Sequence, residues 1–320
     1  MNRRRLLGAG IAAVVAWGPA RAAPKANARV GYLELVKESD GEVLYREFVE
    51  GLQSQGYVEG RNLRLLRKSA GARPERLSTL AAELGAAKVD VILAASTEAA
   101  RRVKFGAPRI PTVFVTSGDP VLEGLVTSLS RPQGLFTGLT TRSEDLTAKR
   151  LQFLKEAFPQ VRKVAVVGSN VSMSGVAFDE PARRLQLDIL QFPIHQFDDY
   201  RDAAAAIARS AADAVLVVED ADAVTNLGTF VGLMMATRRP VMFNADVFVE
   251  NGGLMAFGVS LRQQYRRAAY FAARLLDGAK PSDLPVEFPT RYELVINRRT
   301  AEVYRIVLPR EFLQRADRVI

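Results

Sequence analysis

Hydroxyl, carboxyl and amide side chains recur directly after the apolar runs of this sequence. In the first half of the chain they are Tyr32, Glu34, Ser96, Thr97, Thr116, Ser117 and Asp119. In the second half they are Asn170, Asp220 and Asn244. Hydroxyls and amides both donate and accept hydrogen bonds, whereas an ionised acid only accepts them. This set suits the reversible binding of a small polar molecule.

Signatures of covalent or metal-dependent catalysis are few. The chain has no cysteine and one histidine, His195, to which we assign a structural role. Without a partner histidine or cysteine, neither metal ligation nor a Cys–His pair is supported. No Gly-x-Ser-x-Gly elbow and no glycine-rich phosphate loop follows a predicted strand. We therefore predict a protein that is not an enzyme and that uses no cofactor and no metal.

Each polar residue also has a purely structural interpretation. Asp119 precedes Pro120, which is the pattern of an N-cap followed by proline at the first helical position. The others have comparable roles: a helix cap for Ser96 and Thr97, a turn for Asn170, and a solvated loop for Asp220. The sequence leaves these alternatives open, although caps alone have no reason to converge on one place.

Alternating strands and helices position these residues. Apolar runs predict strands at residues 30–33, 62–66, 89–94 and 112–115, and again at 163–168, 189–194, 214–218 and 241–243. Apolar residues at helical spacing lie between them. Each half thus reads β-α-β-α-β-α-β, which predicts an α/β fold of two doubly wound parallel-sheet lobes joined by a hinge. Ligands bind beyond the carboxyl ends of such strands, where the polar residues lie.

Residues 1–22 have the pattern of a signal peptide. A basic start is followed by an apolar run and by Ala20-Arg21-Ala22, a small-x-small cleavage pattern. We predict export to the periplasm with cleavage near Ala22, by the general secretory or the twin-arginine route. Removal of these residues takes away four arginines and lowers the net charge from +9 to +5. No basic stripe with interleaved aromatic residues remains, so nucleic-acid binding is not predicted.

Several segments resemble the solute-binding proteins of ABC transporters, in the group that includes the tryptophan- and tyrosine-binding TrpX-like proteins. The resemblance runs in order along nearly all of the chain after the signal peptide. It is carried by Gly56–Leu63, Arg76–Leu84, Val89–Ile92, Ile110–Phe114, Asp119–Val121, Gly124–Leu129, Lys149–Leu151, Gly252–Gly258, Tyr265–Ala269, Gly278–Pro281, Leu284–Val286 and Glu293–Asn297.

The resemblance implies a periplasmic binding protein type I fold with three crossings between lobes. We assign residues 28–139 and about 248–281 to the N-terminal lobe, and residues 140–247 and about 282–320 to the C-terminal lobe. Tight crossings are expected near Gly138 and at residues 245–247. The protein is expected to act as a monomer that delivers its solute to a permease in the inner membrane.

The predicted mechanism is closure of the two lobes on a solute. Hydroxyls of the first lobe (Ser96, Thr97, Thr116 and Ser117) hold a carboxylate or amide, while Asp119 fixes the following helix start. Asn170, Asp220 and Asn244 complete the shell, and Asp220 faces an amino group. Tyr32 or Phe257 stacks on a flat or aromatic solute.

The chain departs from the family pattern in residues 169–178 and at Phe257, where many relatives carry tyrosine. These differences bear on the identity of the solute more than on the fold. Two other functions stay open: a sensory module that presents solute to a receptor or kinase, and an enzyme that turns its ligand over in the cleft.

Overall fold

The computed structural model describes residues 24–141, 146–169, 178–218, 223–224 and 226–320 of the 320-residue chain. Asn170, Asp220 and the predicted signal peptide lie outside the described residues. Within those ranges, no helix combines the length and the apolar composition required to cross a membrane.

The first sheet contains five parallel strands in the order β2-β1-β3-β4-β5. The strands are β1 (Ala28–Glu34), β2 (Leu63–Ser69), β3 (Val91–Ala94), β4 (Thr112–Thr116) and β5 (Phe136–Thr140). The connecting helices are α1 (Glu38–Ser54), α2 (Leu77–Ala86) and α3 (Thr97–Gly106). α1 packs on one face of this sheet, and α2 and α3 pack on the other.

The second sheet repeats this order as β7-β6-β8-β9-β10 and adds β11 and β12 beyond β10. The strands are β6 (Lys163–Ser169), β7 (Asp188–Ile194), β8 (Ala214–Val217), β9 (Val241–Ala245), β10 (Met255–Val259), β11 (Glu293–Ile296) and β12 (Arg318–Val319). The helices that follow α3 are α4 (Thr147–Ala157), α5 (Asp179–Leu185), α6 (Asp199–Arg209), α7 (Leu227–Ala236), α8 (Asp246–Glu250), α9 (Leu261–Leu276), α10 (Arg298–Val303) and α11 (Arg310–Leu313). The repeated order confirms the predicted fold class.

The chain crosses between the lobes at places that differ from the expected ones. Gly138 lies inside β5, and the chain changes lobe between the end of β5 and the start of α4. The second crossing follows Val259, not residues 245–247, because β10 pairs in parallel with β9 and extends the second sheet. The third follows Glu287, which still bridges to Leu139 of β5. The boundaries expected at about 248 and 281 therefore move to about 260 and 288.

α9 returns the chain to the first lobe and packs along α1. Its buried face includes Tyr265, Ala268, Ala269 and Ala272, at helical spacing. Opposite this face, a Cβ on Gly51 of α1 would lie only 2.6 Å from the Cβ of Ala269. Small side chains thus let the two helices approach closely and fix the start of α9 beside the hinge.

Candidate functional site

The carboxyl ends of both sheets lie beside the crossings between the lobes. β5 ends at Thr140 and β10 ends at Val259, and the chain changes lobe after each of them. On α9, the hydroxyl of Tyr265 donates to the carbonyl of Ala95, just beyond β3, at 3.1 Å. The carboxyl ends of the parallel strands in both lobes therefore lie on the side of the crossings, and the space between the lobes at these ends is the candidate site.

The start of α3 supplies the first polar groups of this cleft. Ser96 is the N-cap, with its Oγ accepting the N–H of Ala99 at 3.1 Å, and Thr97 is the first helical residue. A capping hydroxyl keeps its own proton as a donor, and the first N–H groups of a helix favour a negatively charged partner. The capping role of Ser96 is thus established, and ligand contact by Ser96 or Thr97 stays a prediction.

The segment after β4 is the predicted rim of the cleft in the first lobe. Thr116 is buried and Ser117 is half-buried. Asp119 Oδ1 accepts the N–H groups two and three residues ahead, at 2.8 and 3.3 Å. The helix expected to begin at Pro120 does not form, because residues 120–124 are successive turns. Asp119 therefore closes a turn and does not cap a helix.

Tyr32 lies in the core between α1 and α9. Its ring centroid is 5.0 Å from that of Tyr45, 5.7 Å from that of Phe48 and 6.4 Å from that of Tyr265. Only 1% of the residue is exposed. In this conformation no face of the Tyr32 ring is open to a solute, and of the two predicted stacking residues only Phe257 retains an exposed part.

Glu34, at the end of β1, is a buried acid in an ionic network. Its Oε1 accepts from Arg67 Nε at 2.6 Å, and Arg67 also donates to Glu42 at 2.7 Å and lies over the Tyr45 ring. Glu34 Oε2 is buried and receives no donor from the described part of the chain. Burial raises the pKa of Glu34 to about 7, although Arg67 opposes this shift. The first lobe thus presents an unsatisfied acceptor that titrates near neutrality.

Arg150 of α4 organises the second lobe at the cleft. It is 2% exposed, and its Nε donates to the Phe257 carbonyl at 2.8 Å while Nη2 donates to the Asn244 carbonyl at 3.3 Å. A Cβ on Gly258 would lie 1.9 Å from that Asn244 carbonyl, so glycine lets β10 approach β9 closely. The side-chain Oδ1 of Asn244 is buried without a donor among the described residues.

Residues 31–320 match the sequence profile of a family described as ABC transporter substrate binding protein. The match covers most of the chain, in both lobes. The chain belongs to this family. The resemblance inferred from the sequence is therefore confirmed, and with it a binding function that is not enzymatic.

The individual proteins that this chain resembles are distant in sequence. The tyrosine-binding protein of Clostridioides difficile (strain R20291) is 23% identical over 281 residues, covering 86% of this chain and 80% of the relative. A conserved domain protein from Vibrio cholerae is 25% identical with a TM-score of 0.81, covering 92% of this chain and 100% of that one. The structure entitled ABC domain in complex with L-Trp, from Streptococcus pneumonia, is 22% identical with a TM-score of 0.78, covering 91% and 100%.

In this substrate-binding protein, charged residues join the two lobes at the second crossing. Arg262, at the start of α9, donates to Glu47 of α1 at 2.9 Å and to Glu250 of α8 at 2.7 Å. Beside it, the Ser260 hydroxyl donates to Asp246 at 2.8 Å, and burial raises the pKa of Asp246. Because Glu47 belongs to the first lobe and Glu250 to the second, Arg262 spans the hinge.

Arg67, Arg150 and Arg262 were not predicted from the sequence. Arg150 had a detectable signal, since it shares helical spacing with the buried residues Phe153, Leu154 and Ala157 on one face of α4. Arg262 had none, because its partner Glu47 is 215 residues away in the sequence. Long-range ion pairs of this kind appear only in the folded chain.

Two predicted residues of the second lobe, Asn170 and Asp220, lie outside the described residues, so their roles stay predictions. His195 is exposed, and its backbone N–H donates to Asp199. In the part of the chain that the structure describes, no group of three or more His, Asp or Glu side chains is arranged to hold a metal ion.

Proposed function

We propose that this protein is the periplasmic solute-binding component of an ABC importer and that it captures a free amino acid or a related carboxylate. The solute is bound in the interlobe cleft, the lobes close on it, and the closed form delivers it to the permease of the inner membrane. Membership of the substrate-binding family supports the transport role, and the chemistry of the cleft supports the class of solute.

One observation carries the choice of solute: each lobe has a buried, donorless oxygen near the carboxyl end of a strand. They are Oε2 of Glu34 in the first lobe and Oδ1 of Asn244 in the second. A buried acceptor without a donor costs about 1–3 kcal/mol, so a ligand that brings N–H donors is favoured. An ammonium group offers three such donors. A solute that satisfies both oxygens also favours the state in which the lobes are closed.

The carboxylate of the solute is assigned to the opposite part of the cleft. The start of α3 favours a negative group, and the hydroxyls nearby can donate to it. We assign this role to the hydroxyls of Ser96, Thr97, Thr116 and Ser117. From the second lobe, Asn170 completes the shell and Asp220 faces the amino group. Phe257 is half-buried beside Phe153 and offers an aromatic surface. Relatives named for tyrosine and L-Trp support an aromatic amino acid.

A ligand screen tests this proposal. Native mass spectrometry of the purified protein identifies any co-purified solute, and thermal denaturation compares L-tyrosine and L-tryptophan with analogues that lack the amino or the carboxyl group. We expect the complete amino acids to raise the melting temperature, because they bind only the folded state. We expect each truncated analogue to bind at least about tenfold more weakly, the equivalent of about 1.4 kcal/mol. The proposal is overturned if no amino acid raises the melting temperature.

A matched pair of variants tests the role of Glu34. Glu34→Gln should weaken binding of the amino acid while leaving binding of the deaminated analogue unchanged, because only the former needs the carboxylate. Glu59→Gln, at an exposed position of the same lobe, is the control and should change neither. Equal losses for both ligands would assign Glu34 a structural role only. Stimulation of the reconstituted permease ATPase by the loaded protein distinguishes an importer component from a sensory module.

A further inference from the structure

A cavity of about 410 Å³ lies at the edge of the first sheet where its strands begin, away from the cleft. It is lined by Arg29 at the start of β1, by Arg61 and Arg64 at the start of β2, and by Asn27 and Gly60. β1 has seven residues, so its two ends are about 20 Å apart. The cavity is therefore separate from the site of the amino acid.

The three arginines bring like charges together. Arg29 and Arg64 are direct neighbours on the paired strands β1 and β2, so both lie on the same face of the sheet. Like charges in such positions destabilise a sheet. Among the described residues, none of the three forms an ion pair, and the Nε of Arg29 is buried without an acceptor. The folded chain thus leaves an arginine cluster that an anion would stabilise.

The nearest acids do not neutralise this cluster. Asp90 accepts the backbone N–H of Arg29 at 2.8 Å and the Nζ of Lys25 at 2.5 Å, so both of its oxygens are engaged. Glu59 accepts the N–H of Leu65 at 3.4 Å and contacts none of the three guanidinium groups. Arg61 and Arg64 are exposed at the cavity and the Nε of Arg29 lacks an acceptor, so a ligand with several acceptor oxygens and more than one negative charge would suit the cluster.

We propose that this cavity is a second ligand site and that it binds a phosphoryl group. The planar guanidinium group binds phosphate oxygens in pairs, and three such groups around one cavity match a tetrahedral dianion better than a monocarboxylate. The phosphoryl group is supplied either by a free phosphate-bearing solute or by the head group of an anionic phospholipid at the membrane surface. Nothing in this proposal depends on the identity of the solute in the cleft.

Thermal denaturation in sodium phosphate tests the site, with sodium chloride at equal ionic strength as the reference. At ten times the dissociation constant, phosphate should raise the melting temperature of the unaltered protein by roughly 3 °C. Arg64→Gln should abolish this shift and, without phosphate, should itself melt higher than the unaltered protein, since it relieves the repulsion with Arg29. Arg109→Gln removes an exposed charge from the same lobe outside the cavity and should retain the full shift.

A vesicle flotation assay identifies the source of the phosphoryl group. Binding to phosphatidylglycerol vesicles that is absent with phosphatidylcholine and lost in Arg64→Gln assigns the site to lipid. A phosphate-specific melting shift without vesicle binding assigns it to a free solute. The proposal is overturned if phosphate and chloride change the melting temperature equally. It is also overturned if Arg109→Gln loses as much of the phosphate-dependent melting shift as Arg64→Gln does. Amino acid binding in the cleft should be the same in all three proteins, so this test fails or succeeds independently of the transport proposal.

Discussion

The two lobes share one strand order but hold charge at the cleft in different ways. In the first lobe, Glu34 and Arg67 form a buried ion pair between side chains. In the second, Arg150 donates to the backbone carbonyls of Phe257 and Asn244. A carboxylate titrates and a carbonyl does not, so the Glu34–Arg67 contact responds to pH whereas the contacts of Arg150 do not. Apolar periodicity sets the shared fold, whereas a few polar residues give each lobe its own electrostatics.

Replacement of Arg150 should produce the largest effect. Arg150→Met keeps much of the apolar volume but leaves the two carbonyls buried without these donors, at a cost of about 1–3 kcal/mol each. We expect the free energy of unfolding, measured in urea, to fall by about 3 kcal/mol. Arg201→Met, on an exposed face of α6, is the control and should stay within about 0.5 kcal/mol. A loss below about 1 kcal/mol for Arg150→Met would mean that the carbonyls find other donors.

Glu34→Gln should remove a pH dependence that is specific to the first lobe. The pKa of Glu34 is raised from 4.5 to about 7, so between these values the folded state holds a proton that the unfolded state has lost. The contribution of Glu34 to the free energy of unfolding is therefore greatest below pH 4.5. It falls by about 3 kcal/mol as the pH rises to 7. The difference in unfolding free energy between the unaltered protein and Glu34→Gln, measured in urea, should change by about 3 kcal/mol between pH 4.5 and 7 and should be level outside this range. Parallel curves across the whole range would refute the shift.

Arg262 joins the two lobes, and its loss should have a smaller effect. Arg262→Gln removes hydrogen bonds to Glu47 and Glu250, but the side chain is 36% exposed and its ion pairs are partly screened by solvent. We expect a loss of about 1 kcal/mol in dilute buffer that decreases in 1 M salt. Arg298→Gln breaks an exposed pair within α10 and should cost less than about 0.5 kcal/mol. Salt-independent losses would assign Arg262 a packing role.

The fold was largely predictable from the sequence, because the apolar runs at β1–β4 and β6–β9 alternate with helical segments as in a doubly wound sheet. β5, β10, β11 and β12 were not predicted. β10 contains Gly258, a residue that weakens strand propensity, and it forms because β9 and β11 pair with it on both sides. Because β10 was missed, the second crossing was predicted at residues 245–247, whereas the chain changes lobe at Ser260. A lobe boundary that depends on pairing between distant strands has no signal in the local sequence.

The sequence predicts which strand ends carry the candidate site but not the interactions of its residues. Counting residues after each strand selects Ser96, Thr116 and Asn244, because the carboxyl ends of parallel strands share one edge of a sheet. Burial was the missing information: the same count includes Tyr32, which packs in the core. Counting along the sequence also could not show that Glu34 has a partner in Arg67, which is 33 residues away.

The smallest effect concerns Ser96, for which the sequence leaves capping and ligand contact as alternatives. Ser96→Ala removes the acceptor for the N–H of Ala99 and should cost about 1 kcal/mol of stability. Ser96→Asp restores the cap, because a carboxylate accepts the same bond and suits the start of a helix. Stability by urea unfolding should therefore recover in Ser96→Asp.

Affinity measured by calorimetry separates the two roles in the same variants. If Ser96 donates to the carboxylate of the solute, Ser96→Asp is stable but binds at least about tenfold more weakly, since two like charges then face each other. Ser96→Thr keeps both the acceptor and the donor and should bind as the unaltered protein does. Full affinity in Ser96→Asp would make Ser96 a cap alone and would shift the recognition of the carboxylate to Thr116 and Ser117 at the end of β4.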